Sequence, residues 1–236
     1  MSNPFAPPDA SEARVPVTEC RACPRLVAWR ERQADLVPPR FAAWVAEHGF
    51  WARPVAAFGD PAAWLVIVGL APAAQGANRT GRMFTGDRSG AFLYAALHRA
   101  GWSDRPESEH RGDGMALEGV LITAPLRCAP PANRPTAAEL DRCRAFMRAD
   151  LAACRRLRVV LALGRVAHEG VLRLLREQGA TLDGDLRFRH GAAHRLPGGG
   201  WLVDSYHVSQ QNTFTGRLTA AMFDAVLQRC RRLGGR

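Results

Sequence analysis

Residues 64–87 read WLVIVGLAPAAQGANRTGRMFTGD, and the two ends of this stretch call for different structures. Trp64–Val68 (WLVIV) is unbroken apolar sequence, as a strand buried on both faces of a parallel sheet requires. After Leu70 the character changes: residues 69–90 hold five glycines, Pro72, three arginines and a single acid, Asp87. Such a composition suits a loop in which backbone comes close to a ligand or to another chain segment. Gly90–Ala100 then places Phe92, Leu93, Ala96, Leu97 and Ala100 on one helix face, with Gly101 as its stop. Strand, glycine-rich loop and helix in that order make the opening unit of an α/β sheet.

The same alternation continues. Gly119–Thr123 (GVLIT), Leu157–Leu163 (LRVVLAL) and Trp201–Tyr206 (WLVDSY) are further strands. Thr136 with Glu139 forms a capping box opening a helix whose buried stripe is Leu140, Cys143, Met147, Leu151 and Cys154. Arg165–Gln178 is a third helix and Thr215–Leu233 a fourth, with a stripe of Leu218, Met222, Val226 and Cys230; residues 24–50 add one or two more. The pattern predicts an α/β fold with a four-stranded, mostly parallel central sheet covered on both faces. In such sheets ligands bind beyond the carboxyl ends of the strands. Segments 69–90, 124–135 and 207–214 should therefore converge on one site. A single domain is expected over residues 17–236, after a disordered lead-in over 1–16.

The length, 236 residues, suits one such domain, and the formal net charge is +10. All 32 basic residues are arginine; the chain has no lysine. A P-loop and a lysine Schiff base are thereby excluded. The cationic excess favours a polyanionic partner such as nucleic acid. With no long apolar span and no secretion signal at the N-terminus, the expected location is cytoplasmic.

Six cysteines divide into two kinds. Cys154 and Cys230 lie on helix stripes and read as core. Cys20 and Cys23 form C-x2-C in an irregular stretch, and Cys128 and Cys143 form a distant pair. Four thiolates suit a metal centre, with Arg21, Arg25 and Arg127 near enough in sequence to offset its charge. Zinc and an iron–sulfur cluster both accept four cysteines, and spacing does not separate them.

Three polar residues at strand ends invite a chemical reading. His207 follows a buried strand and precedes Ser209, Gln210, Gln211 and Asn212; an imidazole there can donate to a developing anion. Asp87 fits either a helix cap or a group that activates water. Asn133, framed by prolines in PPANRP, fits either a turn or a water ligand.

GLAPA…NRTGRMFTGD, RCAPPANRPT and HVSQQNTFTGRLT, together with the C-x2-C and C-x14-C pairs, resemble the family 5 uracil-DNA glycosylases from Cys20 to about Thr219. The resemblance implies a three-layer α/β/α sandwich and a [4Fe–4S] cluster on Cys20, Cys23, Cys128 and Cys143. It implies excision of uracil, and of other deaminated bases such as hypoxanthine, from single- or double-stranded DNA. Asp87 and Asn133 would position or activate water, His207 would hydrogen-bond the departing base, Phe84 would stack on it, and Gly69, Leu70 and Ala71 would line the pocket. Sister families carry an acid or amide early in the first motif, where this chain has Leu70, Ala71 and Ala73. The position that reads the uracil edge with Asn in those families corresponds to Ala124, so looser base selectivity is expected.

The target bond is inaccessible inside a duplex, so the nucleotide must be flipped out. Without lysine, a monofunctional enzyme that leaves an intact abasic site is expected, working as a monomer. Arg79, Arg82, Arg88, Arg134 and Arg217 are candidates for phosphate contacts, as are the amides Gln210, Gln211 and Asn212 for DNA contact, with Gln210–Thr213 as a wedge for the gap left by the flipped base. Two other classes fit less well. A non-catalytic nucleic-acid-binding module would not need Asp87, Asn133 and His207, and a zinc hydrolase would need an open coordination site that four thiolates do not leave.

Overall fold

A computed structural model of the chain describes residues 3–5 and 16–235. Its elements in chain order are α1 (Pro24–Arg32), α2 (Ala42–His48), β1 (Phe58–Gly59), β2 (Leu65–Val68), α3 (Ala77–Thr80), α4 (Arg88–Arg99), β3 (Val120–Thr123), α5 (Ala137–Ala153), β4 (Val159–Leu163), α6 (Arg165–Glu177), β5 (Ala193–Arg195), β6 (Trp201–Ser205), α7 (Gln210–Phe214) and α8 (Ala220–Gly234). The strands form one six-stranded sheet in the order β1-β3-β2-β4-β6-β5. The four central strands are parallel, with Leu65 in register with both Val120 and Val159, and Val159 with Trp201. The sheet is thus mixed and larger than the four strands expected. Both additions, β1 on β3 and β5 on β6, are antiparallel edges. At two and three residues they are too short to carry a readable period.

Alternation of side chains across the sheet divides the core in two. Leu65, Ile67, Val120, Ile122, Leu161 and Val203 meet Leu93 and Leu97 of α4 and Phe223 and Val226 of α8. Val66, Val68, Leu121, Val160 and Leu202 meet Met147 and Leu151 of α5 and Ala167, Val171 and Leu175 of α6. The connection leaving β2 through α4 and the one leaving β3 through α5 therefore cover opposite faces. Their loops open at the same edge of the sheet, the carboxyl ends of the parallel strands.

The helix starts follow local chemistry. Asp87 caps α4, its Oδ1 accepting from the Gly90 N–H at 3.0 Å. The expected capping box opens α5: Glu139 N–H donates to Thr136 Oγ1 at 3.3 Å and Thr136 N–H to Glu139 Oε2 at 2.8 Å. The final helix differs from expectation. It begins at Ala220, capped by Thr219, because Gly216 in the left-handed region (φ 70°) separates it from the short α7.

Most of the lead-in expected over residues 1–16 lies outside the described residues. Asn3–Phe5 are described and meet the core: Phe5 is fully buried, and Asn3 Nδ2 donates to the Leu151 carbonyl at 2.8 Å. Among the described residues no helix is long and apolar enough to cross a membrane.

Candidate active site

The three segments at the strand ends do meet, around a cleft of about 1090 Å³. Leu70, Ala71, Phe84 and Asp87 reach it from the loop after β2, Ala124 and Asn133 from the loop after β3, and His207, Gln210 and Gln211 from the end of β6 and the start of α7. Asp87 is the sole acid among the described residues that line it.

Asp87 is both the cap of α4 and a lining residue of the cleft. One carboxylate oxygen caps α4. The other faces Gly76, where a Cβ would lie 2.6 Å from Oδ2, so the bare glycine leaves room for the carboxylate. Burial pushes the Asp87 carboxyl above its ordinary value, opposed by the N–H groups of Gly90 and Ser89 and by the Arg79 guanidinium.

His207 is held differently. Desolvation lowers its imidazole to about 4, so the ring is neutral at physiological pH and offers one N–H donor. Its ring centroid lies 6.0 Å from that of Phe84, and its carbonyl accepts from Asn212 Nδ2 at 2.8 Å, pinning α7 to the end of β6. Phe84 itself adopts φ 53°, and its ring packs where a side chain on Gly69 would be; a Cβ there would sit 2.7 Å from it. Gly69, expected to line the pocket, is instead buried behind the Phe84 ring and bears on the cleft only through it. Asn133 is exposed, and both it and Ala132 are left-handed, with φ 55° and 51°.

The arginines divide sharply. Arg88 lines the cleft, and Arg134 and Arg217 are exposed beside the loops, Arg217 lying over the Tyr206 ring at 4.5 Å. Arg79 and Arg82 do not reach the open rim. Arg79 donates to the Gln75 and Gly86 carbonyls and lies between the Phe41 and Trp44 rings. Arg82 is paired with Asp113 at 2.5 Å and bonded to Ser108. Their guanidiniums bind protein groups, which removes the physical basis for the phosphate contacts expected of them. Arg40 and Phe41 line the cleft instead. Nothing in the stretch PPRF, some thirty residues upstream of the β2 loop, signals this.

Cys20, Cys23, Cys128 and Cys143 surround one small cavity beneath α1 and α5, with Leu26, Arg30 and Arg127. Arg30 is almost fully buried and donates to Cys128 Sγ at 2.9 Å and to the Cys20 carbonyl at 3.2 Å. The Arg127 N–H donates to Cys143 Sγ at 3.3 Å, and its guanidinium is paired with Asp150. Arg30 Nε and Arg127 Nε and Nη1 find no hydrogen-bond partner among the described residues. Buried cations left partly unsatisfied beside four sulfurs suit an anionic, thiolate-ligated centre. The residues present therefore fit such a group. Cys154 and Cys230 are fully buried in the core, as their helix stripes imply.

A second polar cluster had no sequence signal. Asp204 of β6, fully buried, faces His168 Nδ1 at 2.8 Å and His194 Nε2 at 3.0 Å, and accepts from the Arg189 N–H at 3.2 Å. It ties α6 and β5 to the strand that carries His207.

A model of the uracil DNA glycosylase superfamily matches residues 56–231. A type-5 uracil-DNA glycosylase of Thermus thermophilus is 52% identical over 221 residues, 93% of this chain and 95% of its own length. The chain belongs to the type-5 uracil-DNA glycosylases. A type-5 enzyme of Mycobacterium leprae is 48% identical over 225 residues, with 95% of each chain covered. One from Pyrobaculum aerophilum is 44% identical over 213 residues, 90% of this chain and 88% of its own. Leu70, Ala71 and Ala73 on the first loop and Ala124 on the second present apolar side chains to the cleft.

Proposed function

We propose that the cleft receives a uracil nucleotide turned out of DNA and that the N-glycosyl bond is cleaved there by water, leaving an abasic site. Family membership makes the chain a uracil-DNA glycosylase, a hydrolase of N-glycosyl bonds acting in base excision repair. The convergence of Asp87, Asn133 and a neutral His207 on one cleft carries the reading of the site.

Departure of the base makes the sugar oxocarbenium-like and the base anionic. His207, as a neutral donor in a desolvated position, hydrogen-bonds the anion as it forms, where such a bond is strongest. Asp87 accepts the proton of the attacking water, and the Asn133 amide orients that water from the facing loop. Phe84 stacks on the base. Leu70, Ala71 and Ala124 offer shape without polar reading, which supports acceptance of hypoxanthine and other deaminated bases beside uracil. Arg40, Arg88, Arg134 and Arg217 meet phosphates, with Gln210 and Gln211 at the same surface and Asn212 holding α7 in place. The absence of lysine supports a monofunctional enzyme, and the +10 charge supports binding to DNA.

Cys20, Cys23, Cys128 and Cys143 would hold a [4Fe–4S] cluster. Bound there, it would supply a structural link among the N-terminal segment, the loop after β3 and α5, with Arg30 and Arg127 placed to offset its charge.

The test is incubation with uracil-containing duplex DNA followed by alkaline cleavage at abasic sites. Strand breaks only after alkali support hydrolysis. Breaks at neutral pH without alkali contradict the monofunctional reading, and no breaks with uracil or hypoxanthine contradict the function.

A further inference from the structure

We infer that Arg53 and Arg111 hold the phosphate backbone of the DNA arm that runs beyond the flipped nucleotide, in a second groove beside the active-site cleft. The inference rests on the reading of the cleft above and extends it from the target nucleotide to the flanking duplex.

The groove, of about 490 Å³, is lined by Trp44, His48, Trp51, Arg53, Arg79 and Arg111 among others. Among the described residues no carboxylate lines it; Glu47 comes within 3.8 Å of His48 Nδ1 but stays outside. Arg53 and Arg111 are exposed, and both guanidiniums lie over one ring, 5.7 and 4.5 Å from the Trp51 centroid. Neither is paired with a carboxylate among the described residues. Other surface arginines are neutralised, Arg21 by Glu31, Arg99 by Asp224 and Arg187 by Asp185. An aromatic face holds a guanidinium by its plane and leaves its N–H edges free for an anion. Two cations gathered over one ring, with no acid between them, therefore make a seat for phosphate.

The groove is fastened to the loop that carries Phe84 and Asp87. The Trp51 N–H donates to the Arg79 carbonyl at 2.9 Å, the Ala52 N–H to the Asn78 carbonyl at 3.0 Å and the Arg111 N–H to the Thr80 carbonyl at 3.1 Å. Gly81 (φ 76°) lets both side chains close on this segment, since a Cβ there would lie 2.7 Å from Arg111 Cδ and 3.1 Å from the Trp51 ring. A row of stacked groups joins the two openings. Phe41, which lines the cleft, lies 4.1 Å from the Arg79 guanidinium; that guanidinium lies 4.2 Å from the Trp44 ring, and His48 stacks on Trp44 at 4.7 Å. Arg40 stands at the cleft end of the row, over Phe41, and Arg53 and Arg111 in the groove at its other end. The row spans a few base pairs, each rising about 3.4 Å. A duplex leaving the cleft in this direction brings its phosphates to the groove, whereas a lone base would find the Trp51 face already covered by arginine.

The experiment measures binding to duplexes that carry a stable abasic analogue between arms of about 4 bp or about 15 bp, by fluorescence anisotropy over a salt series. The double variant Arg53→Gln, Arg111→Gln is compared with wild type and with Arg176→Gln, Arg229→Gln. The latter pair removes the same charge from exposed positions on α6 and α8, outside both the groove and the cleft. The groove variant should bind the long-armed duplex about tenfold more weakly near physiological salt and lose about 1 to 2 units of the log Kd–log salt slope. On short arms it should change less than about twofold, and the remote pair should stay within about twofold of wild type on both. Arg53→Lys, Arg111→Lys should recover part of the loss, because a phosphate also accepts from an ammonium. Equal losses on the two arm lengths, an unchanged salt slope, or the same loss in the remote pair would each overturn the assignment. Failure of the wild type to excise uracil from either duplex would instead overturn the function beneath it.

Discussion

Lowering the pH from 7 to 5 should leave His207 neutral in the folded protein. Desolvation holds its imidazole at about 4 against an ordinary 6.5. At pH 5 roughly one-tenth of folded molecules then carry the imidazolium, whereas an unburied histidine would be almost wholly charged. The sign for stability follows. The unfolded chain takes up this proton near 6.5 and the folded chain only near 4, so between those values the unfolded state binds more protons. Stability is therefore full above the unfolded value and falls as the pH drops through the window. The part due to His207 is about 2 kcal/mol between pH 7 and pH 5 and about 3 kcal/mol once the pH is well below 4. Urea unfolding at both pH values, for wild type and His207→Gln, isolates it, because the amide does not titrate. Wild type should lose about 2 kcal/mol more than the variant over this interval. Proton NMR of the ring, assigned by the signal missing from the variant, should give a midpoint near 4. A midpoint near 6.5, or the same pH dependence in both proteins, would refute a desolvated His207 and with it a neutral donor to the leaving base.

Asp87→Asn should lower kcat about 100-fold or more, as loss of a general base does. Under the proposed base role Asp87 must be ionised, and burial raises its pKa, so the acid limb of the wild-type kcat profile should lie above the ordinary carboxylate range, and the variant should lack that limb. Gly69→Ala places a methyl 2.7 Å from the Phe84 ring and should raise KM more than it lowers kcat, because the stacking face moves; equal effects on both would argue that Phe84 acts in chemistry. Arg30→Met removes the donor to Cys128 and should lower iron content per chain and visible absorbance, with Arg30→Lys intermediate. Unchanged iron in the Met variant would show that the guanidinium serves only packing.

The central strands were legible because parallel strands buried on both faces read as unbroken apolar runs, and WLVIV, GVLIT and LRVVLAL are such runs. β1 and β5 were not, since two or three residues at an edge carry no pattern that survives without their partner strands. The break between α7 and α8 was masked by Leu218, which continues the apolar spacing of the last helix although it precedes its cap. Convergence of three distant loops was readable because it follows from the sheet alone. The contribution of Arg40 and Phe41 was not, because it depends on how residues before the first strand wrap over the sheet edge.

Charge was the least legible property, and the reason is specific to arginine. Arg30, Arg79, Arg82, Arg127 and Arg144 are all buried, held by carbonyls, rings, sulfurs or carboxylates. A guanidinium is more weakly hydrated than an ammonium and has five donors to satisfy, so it enters interiors that lysine avoids. In a chain where arginine is the only base, formal charge counts these interior cations together with those that face DNA. Arg79 illustrates the consequence. Its place in the motif suggested a phosphate contact, yet it lies behind the cleft, where its charge acts on Asp87. An interior cation of that kind favours the ionised carboxylate against the burial that opposes it, on a loop whose cleft-lining residues include no other acid.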